Sequence, residues 1–316
     1  MKPILLSALA ATATATDLLL PLYQYPANNG GAWAPIEQAL SANPSLTAKI
    51  VINPSNGPGY GPNQGINDTQ YEAGIKALAA HANAQLIGYV HTSNDSGLTR
   101  CNIPWGNITR DIRTWASWVD RGVAIKGIFV DESPQDTAND CVRYMTNLTS
   151  FIRTDPEVVR AFGANPIIVF NPGALGTLQP YYDLQPTFIV ALETCFTVPA
   201  RAGGVLGWDQ CDNATNANYE RYDHDGVGSS LEKVVLPSVG RGNAARTAVL
   251  VHGFHDYNGP MANLSATGEV LGQLIGAVVR EGVGATFFNT AGYHTFEEGP
   301  ASIGAVASAL AAANRG

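Results

Sequence analysis

Eight short runs of apolar and β-branched residues recur along this chain, at 18–25, 48–53, 86–92, 125–132, 167–171, 188–193, 247–254 and 285–289. Most are continuous rather than alternating, as expected of strands buried on both faces of a parallel sheet. Between them, 68–81, 107–120, 139–162 and 263–281 carry helical apolar spacing, and an alanine-rich segment at 301–313 closes the series. Several of these begin with Asn or Asp as N-caps, and Gly122 and Gly282 follow two of them as C-cap residues. Strand and helix in alternation imply right-handed crossovers and a parallel sheet. Eight strands closing on themselves make a (β/α)8 TIM-type barrel, an α/β fold that reaches this length as one domain. An open dinucleotide-binding sheet would place GxGxxG after its first strand, where this chain reads Tyr23-Gln24-Tyr25-Pro26-Ala27-Asn28. The glycines of Asn56-Gly57-Pro58-Gly59-Tyr60-Gly61 alternate with Pro and Tyr, which makes a stiff aromatic loop rather than a phosphate cradle. The stretch 196–239 exceeds an ordinary connection, so an extended loop follows strand 6.

The formal charge of −8 and the absence of any basic run argue against a nucleic-acid partner. Charged residues make up only 14% of the chain, so such a surface would gain solubility from glycans. Six sequons supply acceptors, at Asn67, Asn94, Asn107, Asn147, Asn213 and Asn263. Residues 1–16 carry one Lys, an apolar stretch and Ala-Thr-Ala, which predicts a signal peptide cut near Ala13–Ala15 and a catalytic barrel over 17–316. No later stretch is long and apolar enough to span a membrane. The expected product is a secreted glycoprotein, extracellular or cell-wall associated, and a monomer. Its cysteines lack the CxxC spacing of a zinc site, so neither metal nor cofactor is expected. Cys195 and Cys211 stand at the two ends of one loop and are expected to pair, leaving Cys101 with Cys141.

Two strand-like runs stop at acids. Gly127-Ile128-Phe129-Val130 leads into Asp131 and Glu132, and Phe188-Ile189-Val190-Ala191-Leu192 leads into Glu193. The first polar residue past a packed strand interior faces the mouth of a barrel, where substrates bind. Carboxylates from two strands in one mouth are the minimum equipment for cleaving a glycosidic bond. If Ile189 and Ala191 face the axis, the two-residue period carries Glu193 inward with them. Asp131 and Glu132 are neighbours and should diverge unless the strand is already turning, and periodicity does not choose between them. Two such acids close together would raise one pKa, as a general acid requires. The remaining strand ends offer Tyr23, Tyr25, Asn53, Tyr89, His91, Asn171, His252, His255 and Asn289. Flat rings to stack on and amides or imidazoles to bind hydroxyls suit a sugar. Asn53-Pro54 and Asn171-Pro172-Gly173 also read as turns. No GxSxG elbow and no HExxH motif accompany them, which argues against serine-hydrolase and zinc-protease chemistry.

Several of these segments together resemble the spherulin-4-like family. They are Leu20-Pro21-Leu22-Tyr23-Gln24-Tyr25-Pro26, Ile52-Asn53-Pro54-Ser55-Asn56-Gly57-Pro58-Gly59, Gly88-Tyr89-Val90-His91-Thr92, Gly127-Ile128-Phe129-Val130-Asp131-Glu132 and Asn171-Pro172-Gly173. The resemblance runs from about Leu18 to the C-terminus. It implies a (β/α)8 barrel and kinship with secreted fungal glycoside hydrolases that cut galactosaminogalactan, an α-1,4-linked polymer of galactose and N-acetylgalactosamine. It also implies that Asp131, Glu132 and Glu193 match the family's catalytic acids. The resulting expectation is an endo-α-1,4-N-acetylgalactosaminidase of retaining type. Asp131 would be the nucleophile and Glu193 the general acid/base, with Glu132 tuning the pair or exchanging roles with Asp131. A non-catalytic carbohydrate-binding cell-surface protein and a glycosidase for another amino-sugar polymer are the alternatives.

Overall fold

A computed structural model describes residues 15–59, 68–93, 100–196, 222–223, 225–252, 268–289 and 302–316. Eight parallel strands close into a barrel in sequence order. They are β1 (Asp17–Leu22), β2 (Ala48–Ile52), β3 (Ala84–His91), β4 (Gly127–Asp131), β5 (Ile167–Phe170), β6 (Phe188–Cys195), β7 (Thr247–His252) and β8 (Ala285–Phe288). Asp17 and Leu18 pair with Ala285 and Thr286 and so shut the ring. The outer layer holds α1 (Ala34–Ala42), α2 (Thr69–Ala79), α3 (Trp105–Ala116), α4 (Cys141–Thr154), α5 (Pro156–Phe162), α6 (Gln179–Tyr182), α7 (Leu236–Val239), α8 (Gly268–Arg280) and α9 (Ile303–Ala313). Continuous apolar runs predict strands enclosed on both faces, and β2 is buried at every position.

Two local expectations are corrected. The segment 139–162 is not one helix, because Asp155 is extended at φ −64°, ψ 125° and separates α4 from α5. Pro156 clashes with a helical conformation at the residue before it. Asp155 then caps the new helix by accepting from the amides of Glu157 and Val158. The first strand ends at Leu22, so Tyr23 and Tyr25 lie in the loop above it. Thr16 is only 1% exposed and is tied to the C-terminal end of the described chain. Its amide donates to Asn314 Oδ1 at 2.9 Å and its hydroxyl to the Val283 carbonyl at 2.8 Å. Residues 1–14 lie outside the described residues, as do Asn67, Asn94, Asn213, Asn263 and Cys211. Asn107 and Asn147 are exposed on α3 and α4. Cys101 and Cys141 are joined as expected. The proposed partnership of Cys195 with Cys211 falls outside what is described. Among the described residues, no helix is long and apolar enough to cross a membrane.

Close packing fixes α3 against the strand that leads into the mouth. The Trp115 indole is fully buried and its Nε1 donates to the Tyr89 carbonyl at 2.8 Å. That approach requires a glycine beneath it. A Cβ on Gly88 would sit 2.3 Å from the indole ring. Gly88→Ala should therefore destabilise the fold by about 2 kcal/mol or more through overpacking. A lowered urea midpoint at unchanged slope checks this, and an unchanged midpoint refutes it.

Candidate active site

Strand β4 ends at Asp131, and the next residue turns sharply. Glu132 adopts φ +51°, a left-handed conformation uncommon outside glycine. The turn is held from several sides. Thr92 N–H donates to the Asp131 carbonyl at 3.1 Å and Ser133 N–H to the Asn171 carbonyl at 3.0 Å. The Thr92 hydroxyl donates to the Glu132 carbonyl at 2.5 Å, and the Ser133 hydroxyl to the Val130 carbonyl at 2.7 Å. This turn answers the question that periodicity leaves open. Glu132 directs its own backbone N–H at the Asp131 carboxylate, and its side chain meets His91 Nδ1 at 3.3 Å. The same imidazole nitrogen lies 2.7 Å from the Ser93 carbonyl. Neighbouring acids thus both reach the mouth, in different company.

Glu193 also arrives by an irregularity. The register of β6 against β7 shifts between Val190 and Leu192. The plain two-residue count from Ile189 and Ala191 is therefore interrupted, and the bulge re-aims the strand end. The Glu193 amide donates to the Gly173 carbonyl at 3.1 Å. Between the two acid-bearing strands, Asn171 stands just past β5. Its Nδ2 donates to Asp131 Oδ1 and to Glu193 Oε2, each at 2.8 Å. Those two oxygens can therefore be no further apart than twice 2.8 Å. The Tyr89 hydroxyl donates to the other Asp131 oxygen at 2.6 Å.

The electrostatics follow from this crowding. Burial first, and the Glu193 charge second, push Asp131 up to about 6. The hydrogen bonds from Tyr89 and from the Glu132 amide pull the other way without cancelling that rise. His91 is raised chiefly by its bond to Glu132, against the effect of burial. Tyr23 is held well above the ordinary phenol value by burial and by the charges of Asp131 and Glu193. Its ring meets Tyr89 edge-on at 5.7 Å.

Asp131, Glu132, Glu193, Tyr23, Tyr89, His91 and Asn171 are thus brought into one cluster. Tyr25 stands outside it, 43% exposed, with its hydroxyl 3.0 Å from Asp68 Oδ2 and its ring edge-on to Tyr71 at 5.4 Å. Asn53 serves its own turn, since its Oδ1 accepts from the Gly57 amide at 3.1 Å. Asn289 is buried just past β8 with its amide on the Val251 carbonyl. The His252 side chain and all of His255 lie outside the described residues. Sequence reasoning did not single out Thr92, Ser133, Gly173 or Asp68. Asp68 is visible in sequence only as a helix cap, and it does accept from the amides of Gln70 and Tyr71. Among the described residues, no group of three or more His, Cys, Asp or Glu is arranged to hold a metal.

A family model described as spherulation-specific family 4 matches residues 17–310. No curated protein matches the chain in sequence. Among solved structures, Aspergillus clavatus Sph3 in complex with GalNAc is similar at 23% identity and TM-score 0.68. That likeness covers 94% of this chain and 98% of Sph3. A Bacteroides ovatus GH5 xyloglucanase, solved with a XXXG heptasaccharide, matches more loosely at 13% identity and TM-score 0.48. It covers 94% of this chain and 74% of the xyloglucanase. A GH18 chitinase from Pseudoalteromonas aurantia stands at 13% identity and TM-score 0.46, covering 93% and 100%.

The raised Asp131 has a consequence for stability. Its folded pKa of about 6 lies above the ordinary 3.8, so the folded state binds the proton more tightly than the unfolded chain. The stability this contributes is full below about pH 4 and is lost as pH rises through about 6. The loss is on the order of 3 kcal/mol. Urea unfolding of the wild type between pH 4 and 7 should show that decline. Asp131→Asn should lack it, and parallel pH profiles for the two proteins would refute the assignment.

Proposed function

The chain belongs to spherulation-specific family 4, and on that premise we propose that it is a secreted glycoside hydrolase acting on a galactosamine-containing polysaccharide. The finer reading is an endo-α-1,4-N-acetylgalactosaminidase that cleaves galactosaminogalactan with retention. One observation carries the mechanism. A single amide nitrogen lies 2.8 Å from an oxygen of each acid, which keeps those two oxygens within twice that distance and favours the close class. Retaining pairs stand about 5–5.5 Å apart, whereas inverting pairs need about 6.5–9.5 Å to admit a water. That the barrel of Sph3 has been solved with GalNAc supports an amino sugar as the ligand. The Cys101–Cys141 bridge supports an oxidising, extracellular setting. Exposed acceptors at Asn107 and Asn147 agree with secretion.

In this reading Asp131 attacks the anomeric carbon while Glu193 protonates the departing glycosidic oxygen. The C–O bond breaks and a covalent glycosyl ester forms on Asp131. Glu193, now a carboxylate, takes a proton from water, and the water oxygen displaces Asp131 to restore both groups. Glu193 Oε2 already accepts from Asn171, so the transferable proton sits on Oε1. Tyr89, Asn171 and the Glu132 amide hold Asp131 in place through neutral donors, which orient the carboxylate without a competing cation. Because Asp131 must be ionised to attack and burial holds its carboxyl above the ordinary range, kcat/KM should fall about tenfold per pH unit on the acid side of its profile.

Purified protein should release oligosaccharides from N-acetylgalactosamine-containing galactan without added metal, and product lengths separate endo from exo cleavage. A panel including chitosan and poly-N-acetylglucosamine tests the choice of polymer. Asp131→Asn and Glu193→Gln should each lose at least about 10²-fold in rate without a fall in melting temperature. Activated leaving groups should rescue Glu193→Gln, and azide should rescue Asp131→Asn with inverted stereochemistry. The reverse rescue pattern would exchange the two roles. Tight binding without product at any pH would establish a binding protein instead.

A further inference from the structure

Asn171 has a second end that the mechanism above leaves unused. The residue is only 6% exposed, and both bonds made by its amide go out through Nδ2 to the acids. Its Oδ1 is buried and accepts nothing from the described residues. Few buried acceptors in native proteins go unmatched, and one set between two acids at a strand end calls for a functional reason. The amide cannot simply be turned over, since Oδ1 would then face two carboxylates.

A small space adjoins this oxygen. Gly173 has φ +68°, and a Cβ built on it would lie 3.6 Å from Glu193 Oε2 and 3.8 Å from Asn171 Oδ1, both ordinary contact distances. Two acceptors therefore border a gap about the size of one methyl group. We propose that Asn171 Oδ1, together with Glu193 Oε2, receives a hydroxyl or N–H donor of the sugar bound against the acids, while Asn171 Nδ2 sets the spacing of those acids. Asn171 is thus at once a ligand acceptor and a positioning residue. Two adjacent acceptors reject a carboxylate or phosphate, so the position selects a neutral or amine-bearing sugar over a uronic acid. The inference rests on the glycosidase reading for its substrate, but its binding half can be measured without turnover.

The two ends of the amide can be separated by mutation. Gly173→Ala fills the gap and leaves Nδ2 untouched. It should raise both KM and the calorimetric Kd for an α-1,4-linked N-acetylgalactosamine oligosaccharide at least about tenfold, and the acid limb of the pH–rate profile should stay in place. Asn171→Ala removes the shared donor from Asp131, whose other ionisable neighbours are Tyr23, Tyr89, His91, Glu132 and Glu193. Losing a bond that favours the ionised form should move the acid limb about one to two pH units upward. A purely structural asparagine would lower the melting temperature and move neither KM nor the limb. If Gly173→Ala does not fold, Gly173→Asn tolerates the left-handed backbone and crowds the gap with a larger side chain. Wild-type Kd in a folded position-173 variant overturns the acceptor role, and an unmoved limb in Asn171→Ala overturns the positioning role. A wild type that binds the oligosaccharide but never cleaves it defeats the hydrolase reading alone, because the Kd comparison still decides the acceptor role.

Discussion

The ladder running from β3 to β6 sets where the three acids and Asn171 begin. His91 stands opposite Asp131 and Val130 opposite Phe170, and the Asn171 amide continues the pairing onto the Val130 carbonyl. Adjacent strands lie about 4.8 Å apart, so acids on β4 and β6 start roughly 10 Å apart at the backbone. The strand between them supplies the residue that closes this distance. Asp131 and Glu193 lean from either side onto one amide nitrogen. A barrel lacking the β6 bulge, or carrying an apolar residue at 171, would keep both acids and lose their spacing.

Acids occur at both ends of the barrel, and their partners differ in kind. At the start of the strands, Asp17 pairs with buried Lys49, whose ammonium also lies 5.1 Å from the centre of the Phe188 ring. Burial still leaves Asp17 raised, with Lys49 working against it. That end is neutralised by a cation. At the mouth, Asp131 is answered by a phenol, an amide and a backbone N–H. Neutral donors orient a carboxylate without cancelling its charge, and the barrel accepts a stability cost in return. Under the proposed reading, a floor neutralised by lysine and an Asp131 held by neutral donors fit chemistry at the mouth.

Continuous apolar runs made the strands legible, because burial on both faces leaves little room for polar residues. The long helix at 139–162 was misread because apolar spacing continues across Pro156, and spacing does not register the clash that proline makes with the residue before it. The candidate site was legible as a set of residue types at strand ends, not as geometry. Asn53 and Asn171 show why. Each precedes a proline, and either could be a turn residue. Asn53 is one, bonding to Gly57 within its own loop, whereas Asn171 bonds across two other strands. The difference lies in the tertiary neighbours, which no local pattern records. Glu193 likewise reached the mouth through a bulge that no two-residue count contains.

Glu132 shows how backbone strain shapes the division of labour among the acids. A non-glycine residue at φ +51° is unfavourable in isolation. Here the Thr92 hydroxyl on its carbonyl and the Ser133 bonds on either side of the turn hold it. An ordinary extended residue would send its side chain to the opposite face of the sheet from Asp131. The left-handed turn instead brings the Glu132 amide onto the Asp131 carboxylate and its side chain onto His91. With its carboxylate engaged there, Glu132 acts on the pair through its backbone N–H and its charge. Under the proposed reading this makes it the tuning member, with attack left to Asp131, the acid that shares an amide with Glu193.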